Sequence, residues 1–391
     1  MYTASDVQQQ FTNTFGYAPA LLVRAPGRIN IIGEHTDYNL GLVLPGAIDR
    51  ELYFAVGENQ DQLLRFRALD ISASADVQLT DLRPSGKLWL DYLLGIAQQF
   101  VQEGYDLRGL DIVFGGNLPV GAGVSSSAAL ECGMASVWNE LLNAGKSKTE
   151  LAQLAQRSSH EFVGIPCGIM DQFASLQGVE GHAILLDCRD LSFHKVPVAV
   201  DGCEWVLLNS KVSHSLAESA YVDRVEECNA GVAVLQQYYP EVQSLRDVSP
   251  PMVEELKSVI PEVVYRRCRY VVGEHARTLA MIEMLKAGKA QQVGMLLNLT
   301  QLGLAQDYEV SCPEIDFLFA QAYRYPGVYG ARIMGGGFGG CTLNLVQSAH
   351  RADFVSTALA AYKEEFGVQG EELVVGLVDG VSIFTQGRSS V

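Results

Sequence analysis

The polar residues with the richest chemistry follow a short apolar run near the N-terminus. Arg28, Asn30, Glu34, His35 and Asp37 fall within ten residues, among glycines that break the backbone pattern. Carboxylates accept hydrogen bonds from sugar hydroxyls, whereas amide and imidazole groups donate or accept them. This spacing predicts a polyol-binding loop, and the alternative interpretation is a solvated turn.

A second stretch, rich in glycine and serine, opens a helical pattern of apolar residues. Its members are Gly121, Ala122, Gly123, Val124, Ser125, Ser126 and Ser127. Glycine lets a backbone approach a bulky anion, and a helix N-terminus presents free N–H groups and a positive dipole end. The stretch therefore predicts a phosphate cradle, with serine hydroxyls as further donors and as an Mg²⁺ ligand. It lacks the lysine of a Walker loop. The alternative interpretation is a plain helix N-cap.

A third feature is a single carboxylate in apolar surroundings. Asp171 lies among Ile169, Met170 and Phe173. Burial of a carboxylate is costly unless the charge is paired, and an arginine partner would keep it ionised. The alternative interpretation makes Asp171 the N-cap of a short helix.

The bulk composition limits the class of protein. The 391 residues favour two domains, which we place at 1–192 and 193–391. A formal charge of −17 argues against nucleic acid and anionic membranes as partners, so phosphate recognition would need local N–H groups, a few cations and Mg²⁺. The eight cysteines show no zinc spacing, and no leader or membrane-spanning pattern is present. We therefore expect a cytoplasmic protein.

Two strands, a helix and a glycine-rich run should position these groups. A strand over Leu21–Ala25 leads into the first stretch, and a strand over Leu110–Phe114 leads towards the second. A helix over Ser215–Gln237 carries Tyr221, and the glycine-rich run Gly330–Cys341 separates two strands. As an alternative to a functional role, that run is simply a wide hairpin.

Taken together, these stretches resemble the family that unites galactokinase, homoserine kinase, mevalonate kinase and phosphomevalonate kinase, and its galactokinase branch in particular. Gly27–Tyr38 looks like the signature of that branch, Pro119–Ala129 like the ATP loop of the family, and Met334–Cys341 like its C-terminal glycine motif. Cys167–Gln172 and Asn209-Ser210 with Tyr221 also match. The resemblance covers essentially the whole chain. It implies a two-domain α+β small-molecule kinase fold with the active site in the interdomain cleft.

The resemblance also implies an activity, which is transfer of the ATP γ-phosphoryl group to the C1 hydroxyl of α-D-galactose. Asp171 would be the base, and Arg28 would keep it ionised and offset charge in the transition state. The implied sugar-binding residues are Glu34, His35, Thr36, Asp37, Gly168, Asp171 and Tyr221. Residues 121–127 would wrap the triphosphate, and Trp89 would pack near adenine. Ser127 and Ser159 would contribute to the Mg²⁺ site.

One position departs from the family pattern. Relatives usually carry a metal-binding glutamate twelve residues before the catalytic aspartate, where this chain has Ser159. Glu161 follows two residues later, but two residues along a helix rotate a side chain by about 200°. Whether Ser159 or Glu161 replaces the glutamate is left open. We predict a weaker apparent Mg²⁺ affinity than in such relatives.

Two other functions remain open at this stage. A related sugar-1-kinase would act on N-acetylgalactosamine, arabinose or another sugar, because the width of the pocket near C2 cannot be derived from sequence. A galactose- and ATP-binding sensor without catalysis is disfavoured by the intact serine run and by the presence of both Arg28 and Asp171. In either case we expect a monomer or a weak oligomer.

Overall fold

The computed structural model describes the backbone of residues 1–213 and 217–385, and the side chains of all of these except 213 and 217–219. The helices within these residues are α1 Ala4–Phe15, α2 Leu88–Gln102, α3 Ser126–Leu141, α4 Lys148–Ser158, α5 Met170–Gln177, α6 Ala217–Leu235, α7 Pro250–Glu255, α8 Glu262–Lys286, α9 Ala290–Gln306, α10 Pro313–Arg324 and α11 Arg351–Phe366. The strands are β1 Leu21–Asn30, β2 Leu42–Val43, β3 Pro45–Asn59, β4 Leu63–Ala68, β5 Ala73–Gln78, β6 Gly109–Gly116, β7 His182–Asp187, β8 Phe193–Pro197, β9 Cys203–Ser213, β10 Val328–Ile333, β11 Gly339–Gln347, β12 Glu371–Leu373 and β13 Ser382–Thr385.

The strands form three sheets. A six-stranded sheet has the order β13-β1-β3-β6-β4-β5 and is antiparallel except for the β4–β6 pair. The second sheet, β10-β11-β9-β12, is antiparallel, and the third is β2-β7-β8. Helices pack on both larger sheets, so the predicted α+β fold class is confirmed. The predicted 215–237 helix spans Ala217–Leu235, and Ser215 lies outside the described residues.

The division into domains needs one amendment. The predicted boundary between residues 192 and 193 falls inside the β7–β8 hairpin, and β13 at the end of the chain returns to pair with β1. A division that keeps the sheets intact would therefore begin the second unit after β8 and return the last strand to the first. The boundary itself remains a prediction.

Two strand ends position the site. Every residue of β6 is buried, as expected for a strand between two neighbours in a covered sheet. Its end delivers the chain to the glycine-serine stretch, and α3 then packs back on β1. β1 ends at Asn30 and passes directly into the polar loop. In the described part of the chain, no helix is long and apolar enough to cross a membrane.

Candidate active site

One cavity between the two units collects most of the predicted sugar-binding residues. It contains about 330 Å³ of empty space, part of it open to solvent. That is near the lower end of the range for small-molecule sites, so it suits a small ligand. Its lining residues are Arg28, Glu34, His35, Asp37, Cys167, Gly168, Met170, Asp171, Tyr221, Gly335 and Gly336.

Arg28 and Asp171 form the charged pair that the sequence predicts. The guanidinium donates from Nε to Asp171 Oδ1 at 2.8 Å and from Nη2 to Oδ2 at 3.0 Å. Its third nitrogen donates to the carbonyl of Gly123, in the glycine-serine stretch, at 2.5 Å. Asp171 is the second residue of α5, which begins at Met170, so it is not an N-cap. A bidentate pair fixes both distance and orientation, so the arginine joins the carboxylate to the phosphate cradle.

Glu34 is buried and is held from the second sheet. Its Oε1 accepts from Arg332 Nη1 at 2.9 Å and from the Gly335 N–H at 2.8 Å. Arg332 is fully buried on β10 and also donates to the carbonyls of Asn30 and Ile31. Because both bonds fall on Oε1, Oε2 is left for a ligand hydroxyl. Arg332 and Gly335 of the second domain thus hold in place the predicted polyol-binding loop, residues 28–37, which we call the sugar loop.

His35 is buried beside the cavity in a left-handed backbone conformation, with a φ of 61°. Its Nδ1 pairs with the Tyr38 hydroxyl at 2.9 Å, while its Nε2 has no hydrogen-bond partner among the described residues. Burial, and secondarily the nearby Arg224, lower the pKa of His35 to about 3. The imidazole is therefore neutral at physiological pH.

Asp37 is 8% exposed and abuts Gly168. A Cβ at Gly168 would lie 1.9 Å from Asp37 Oδ2, so only glycine leaves room for the carboxylate. The Cys167 carbonyl just before it is fixed by His160 Nε2 at 2.7 Å and Gln156 Nε2 at 3.2 Å. Burial, followed by the charge of Asp171, raises the pKa of Asp37 to about 7.

Thr36 and Tyr221 have different positions. The Thr36 hydroxyl donates to the carbonyls of Gly33 and Leu42, both at 2.8 Å, and the residue does not belong to the cavity lining described above. In the structure its hydroxyl closes the loop, and its contact with sugar remains a prediction. Tyr221 on α6 lines the cavity, with its ring 5.6 Å from that of His35.

The glycine-serine stretch has the geometry of an anion cradle. Gly121, Gly123 and Ser125 all have positive φ, and α3 begins immediately afterwards. Ser125 makes no side-chain capping bond and instead donates its hydroxyl to Asp171 Oδ2. The first-turn N–H groups of α3 therefore remain available for phosphate oxygens.

The C-terminal glycine motif packs against this cradle. A Cβ at Gly123 would lie 3.0 Å from the Met334 carbonyl oxygen, and one at Gly335 would lie 3.0 Å from the Gly123 oxygen. A Cβ at Gly340 would lie 3.1 Å from Ala122. The motif is thus more than a wide hairpin, because its glycines allow two backbones to meet across the domain boundary.

A larger groove continues from the cradle. It holds about 980 Å³ of space, much of it open, between residues 116–120 on one side and Lys211 with residues 371–373 on the other. Trp89, predicted near adenine, is half-buried with its ring 6.0 Å from Phe114, and it is not among the residues that line this groove.

The two predicted metal residues also differ from each other. Ser127 is half-buried in the first turn of α3, next to the cradle. Ser159 is 2% exposed and donates its hydroxyl to Glu131, and Glu161 accepts from Gln99 at 2.9 Å. The structure thus argues against both residues 159 and 161 as direct ligands.

No cluster of three or more His, Cys, Asp or Glu side chains in the described residues could hold a metal by itself. Mg²⁺ usually binds through substrate phosphates, waters and one or two protein oxygens. The donor set therefore fits an ion that arrives with a nucleotide.

Sequence reasoning missed several residues. Arg332, Tyr38, Tyr308 and Glu274 all support the sugar loop, and Glu274 Oε1 accepts from the Gly33 N–H at 3.0 Å. One signal was available for Arg332, since a lone charge within the apolar strand-like run 331–334 requires a buried acidic partner.

Comparison with known proteins first defines the class. Models of the N-terminal and C-terminal domains of GHMP kinases match residues 91–179 and 281–365, so the fold and its cleft are those of a GHMP kinase. The galactokinase galactose-binding signature matches residues 9–58.

The relatives narrow this class. Galactokinase of Roseiflexus sp. is 39% identical over 381 residues, covering 97% of each chain. Human galactokinase is 36% identical over 387 residues, covering 97% of this chain and 96% of its own. The crystal structure of Lactococcus lactis galactokinase with galactose superposes with a TM-score of 0.92 at 31% identity, covering 97% of this chain and 99% of that one. The chain belongs to the galactokinase family and is an ATP-dependent sugar kinase.

Proposed function

We propose that this kinase transfers the γ-phosphoryl group of ATP to the C1 hydroxyl of α-D-galactose. The observation that carries the proposal is the Arg28–Asp171 pair, which joins the sugar-sized cavity to the phosphate cradle through the carbonyl of Gly123. The Roseiflexus sp. and Lactococcus lactis relatives are both named galactokinase, and the Lactococcus lactis protein was crystallised with galactose.

Asp171 would take the proton of the C1 hydroxyl. Its carboxylate accepts two bonds from Arg28 and one from Ser125, which fix it in one orientation. A hemiacetal hydroxyl is more acidic than an ordinary alcohol, so a well-stabilised carboxylate is still an adequate base. Phosphoryl transfer otherwise requires alignment and charge neutralisation, which Arg28 supplies from the same position.

The other end of the cavity would bind the remaining hydroxyls. Glu34 offers Oε2, Asp37 offers its carboxyl group, and His35 offers Nε2. Tyr221 closes the cavity from the second domain. Buried polar groups without partners strongly favour a ligand that satisfies them, which is a source of selectivity for one sugar over another.

The nucleotide would lie along the cradle and the groove next to it. The N–H groups at the start of α3 would bind phosphate oxygens, and residues 116–120 would flank the nucleoside. Ser127 would contribute an oxygen to Mg²⁺, which supplies charge neutralisation on the phosphates when bound. With a protein charge of −17, this local arrangement must overcome long-range repulsion of the nucleotide.

The proposed location is the cytoplasm, where ATP is available. All eight cysteines are free thiols in the structure, which suits a reducing compartment. A monomer or a weak oligomer remains our prediction for the assembly.

A sugar panel tests the proposed substrate. ADP release is measured with galactose, N-acetylgalactosamine, arabinose and glucose, and the position of the phosphate is read by ³¹P and ¹H NMR of the product. We expect galactose to give the highest kcat/KM, with phosphate on C1. A higher value for N-acetylgalactosamine, or binding of galactose without ADP release, would contradict the proposal.

A further inference from the structure

A chain of hydroxyl and thiol groups leads from the sugar cavity into the second domain. His35 Nδ1 lies 2.9 Å from the Tyr38 hydroxyl, and that hydroxyl lies 2.6 Å from the hydroxyl of Tyr308. The Tyr308 hydroxyl in turn lies 3.2 Å from Cys228 Sγ. The opposite nitrogen of His35, Nε2, is buried without a partner among the described residues and belongs to a side chain that lines the cavity.

The direction of this chain decides what His35 can offer to a sugar. A neutral imidazole carries one proton, on either Nδ1 or Nε2. If Tyr38 donates to Nδ1, the proton must lie on Nε2, and His35 is a donor towards the cavity. If Nδ1 donates to Tyr38, Nε2 is an acceptor instead.

The thiol at the far end of this chain favours donation by Tyr38. The sulfur of Cys228 already accepts from Asn39 Nδ2 at 3.6 Å, so its S–H is free to donate to Tyr308, and both phenols can then donate towards the imidazole.

The composition of the cavity points the same way. Glu34, Asp37 and Asp171 line it with carboxylates, which act as acceptors when ionised. A sugar hydroxyl that donates to one of them still has lone pairs that require donors. Arg28 is already committed to Asp171 and Gly123. An Nε2–H on His35 would add a donor to a lining that is rich in acceptors.

We infer that Tyr38 holds His35 in the Nε2–H tautomer, so that His35 donates a hydrogen bond to one oxygen of the sugar. Tyr38 is thus a positioning residue, and Tyr308 orients its hydroxyl. The identity of the sugar rests on the proposed function, whereas the tautomer is a property of the protein alone, so the two can fail separately.

NMR of protein with ¹³C,¹⁵N-labelled histidine tests the tautomer without any ligand. The seven histidines give few signals, and His35 is assigned as the signal that is absent from His35→Gln. We expect the Nε2–H form in the wild type and a shift towards Nδ1–H in Tyr38→Phe. Tyr270→Phe is the matched control. The ring of Tyr270 packs against that of Tyr308 with centroids 4.6 Å apart, but its hydroxyl donates to the Glu34 carbonyl and does not belong to the chain of groups that leads to His35. The His35 signals of this control should keep the wild-type tautomer.

The kinetic arm tests the role in sugar binding. Tyr38→Phe should raise the galactose KM by roughly tenfold and leave kcat within about threefold, because one neutral hydrogen bond is weakened. Among monodeoxy-galactoses, one should show almost no further loss in this variant, namely the one that lacks the oxygen contacted by His35. A purely structural role would raise KM equally for all of them.

Two results would overturn the inference. One is an Nδ1–H form of His35 in the wild type, read from a signal whose assignment does not use Tyr38→Phe. The other is an equal KM penalty for galactose and for every deoxy-sugar in Tyr38→Phe.

Discussion

Two aspartates line the same cavity, and their charges are stabilised to very different degrees. Asp171 receives both arms of the Arg28 guanidinium and the hydroxyl of Ser125, although 29% of its side chain is exposed. Asp37 is more deeply buried, and in the described part of the chain it pairs with no arginine or lysine. The N–H groups of Tyr38 and Met170 favour its ionised form, but burial still raises its pKa to about 7.

This difference separates two ends of the cavity, the reaction end at Asp171 and the sugar end at Asp37. Asp171, which is paired with Arg28, can accept a proton from the attacking hydroxyl, and it lies next to the phosphate cradle. The charge of Asp37, which has no basic partner among the described residues, is stabilised further when ligand hydroxyls donate to it. The reaction end is built within the N-terminal unit, whereas the sugar end is completed by Arg332, Gly335 and Tyr221 of the other unit.

The largest expected effect is at the reaction end. Asp171→Asn keeps the size and the hydrogen-bonding oxygen but removes the base, so we expect kcat to fall by at least ~10²-fold. Steady-state ADP release at saturating galactose measures it. Asp111→Asn is the control, since Asp111 is a buried acid paired with Arg65 at 2.9 Å outside the cavity lining. It should lower stability and leave kcat near the wild type. A kcat for Asp171→Asn within about threefold of wild type would remove the distinction between the two ends.

The next effect is at the sugar end. Arg332→Lys replaces a planar donor group that bonds Glu34 and three backbone carbonyls with a single ammonium, so Glu34 loses its fixed orientation. We expect the galactose KM to rise by ~10- to 10²-fold, while kcat and the ATP KM change little.

A matched control separates orientation from stability in this test. Arg267→Lys alters an equally buried arginine that pairs with Glu227 at 2.8 Å and lies outside the cavity lining. It should destabilise the protein without changing the sugar KM. An equal rise in KM in both variants would mean that Arg332 acts only through general stability.

A third effect concerns stability and pH. Because burial raises the pKa of Asp37 from 3.8 to about 7, the folded state retains a proton that the unfolded state releases. Stability is therefore lost as pH rises from about 4 to 7, and Asp37→Asn should escape that loss. In urea unfolding we expect the variant to gain roughly 1–3 kcal/mol over wild type between pH 5 and pH 8. A difference that stays constant with pH would mean that Asp37 is stabilised as well as Asp171.

The smallest effect is expected at position 159. Ser159 is buried against Glu131, whose pKa burial raises to about 8, so Ser159→Glu would place two buried carboxylates side by side. We expect less stability and less than about a threefold change in Mg²⁺ half-saturation, followed by Mn²⁺ binding as well as by activity. A large drop in half-saturation would return residue 159 to the metal and restore the prediction of weakened Mg²⁺ affinity.

Much of the site could be predicted because its chemistry is local in sequence. The density of polar groups in residues 28–37 and the glycine-serine run before a helix both carry their own signals. The loop is not a solvated turn, since Glu34, His35 and Asp37 are all buried. The Arg28–Asp171 pair followed from the cost of burying an unpaired carboxylate.

The remaining contacts depend on long-range packing. Arg332 meets Glu34 across 298 positions of sequence, and Tyr308 meets Tyr38 across 270. The partner of Ser159 could not be predicted, because Glu131 lies on another helix, 28 positions away in sequence. Thr36 also depends on folded geometry, because its neighbours line the cavity while its hydroxyl bonds to backbone carbonyls of the loop.

The most direct test compares variants of the two aspartates in one binding experiment. Isothermal titration measures galactose affinity, without nucleotide, for the wild type, Asp171→Asn and Asp37→Asn. The separation of ends predicts an affinity within about threefold of wild type for Asp171→Asn and a loss of ~10- to 10²-fold for Asp37→Asn, the size of a charge-assisted hydrogen bond. Loss of binding in Asp171→Asn with full affinity in Asp37→Asn would contradict it.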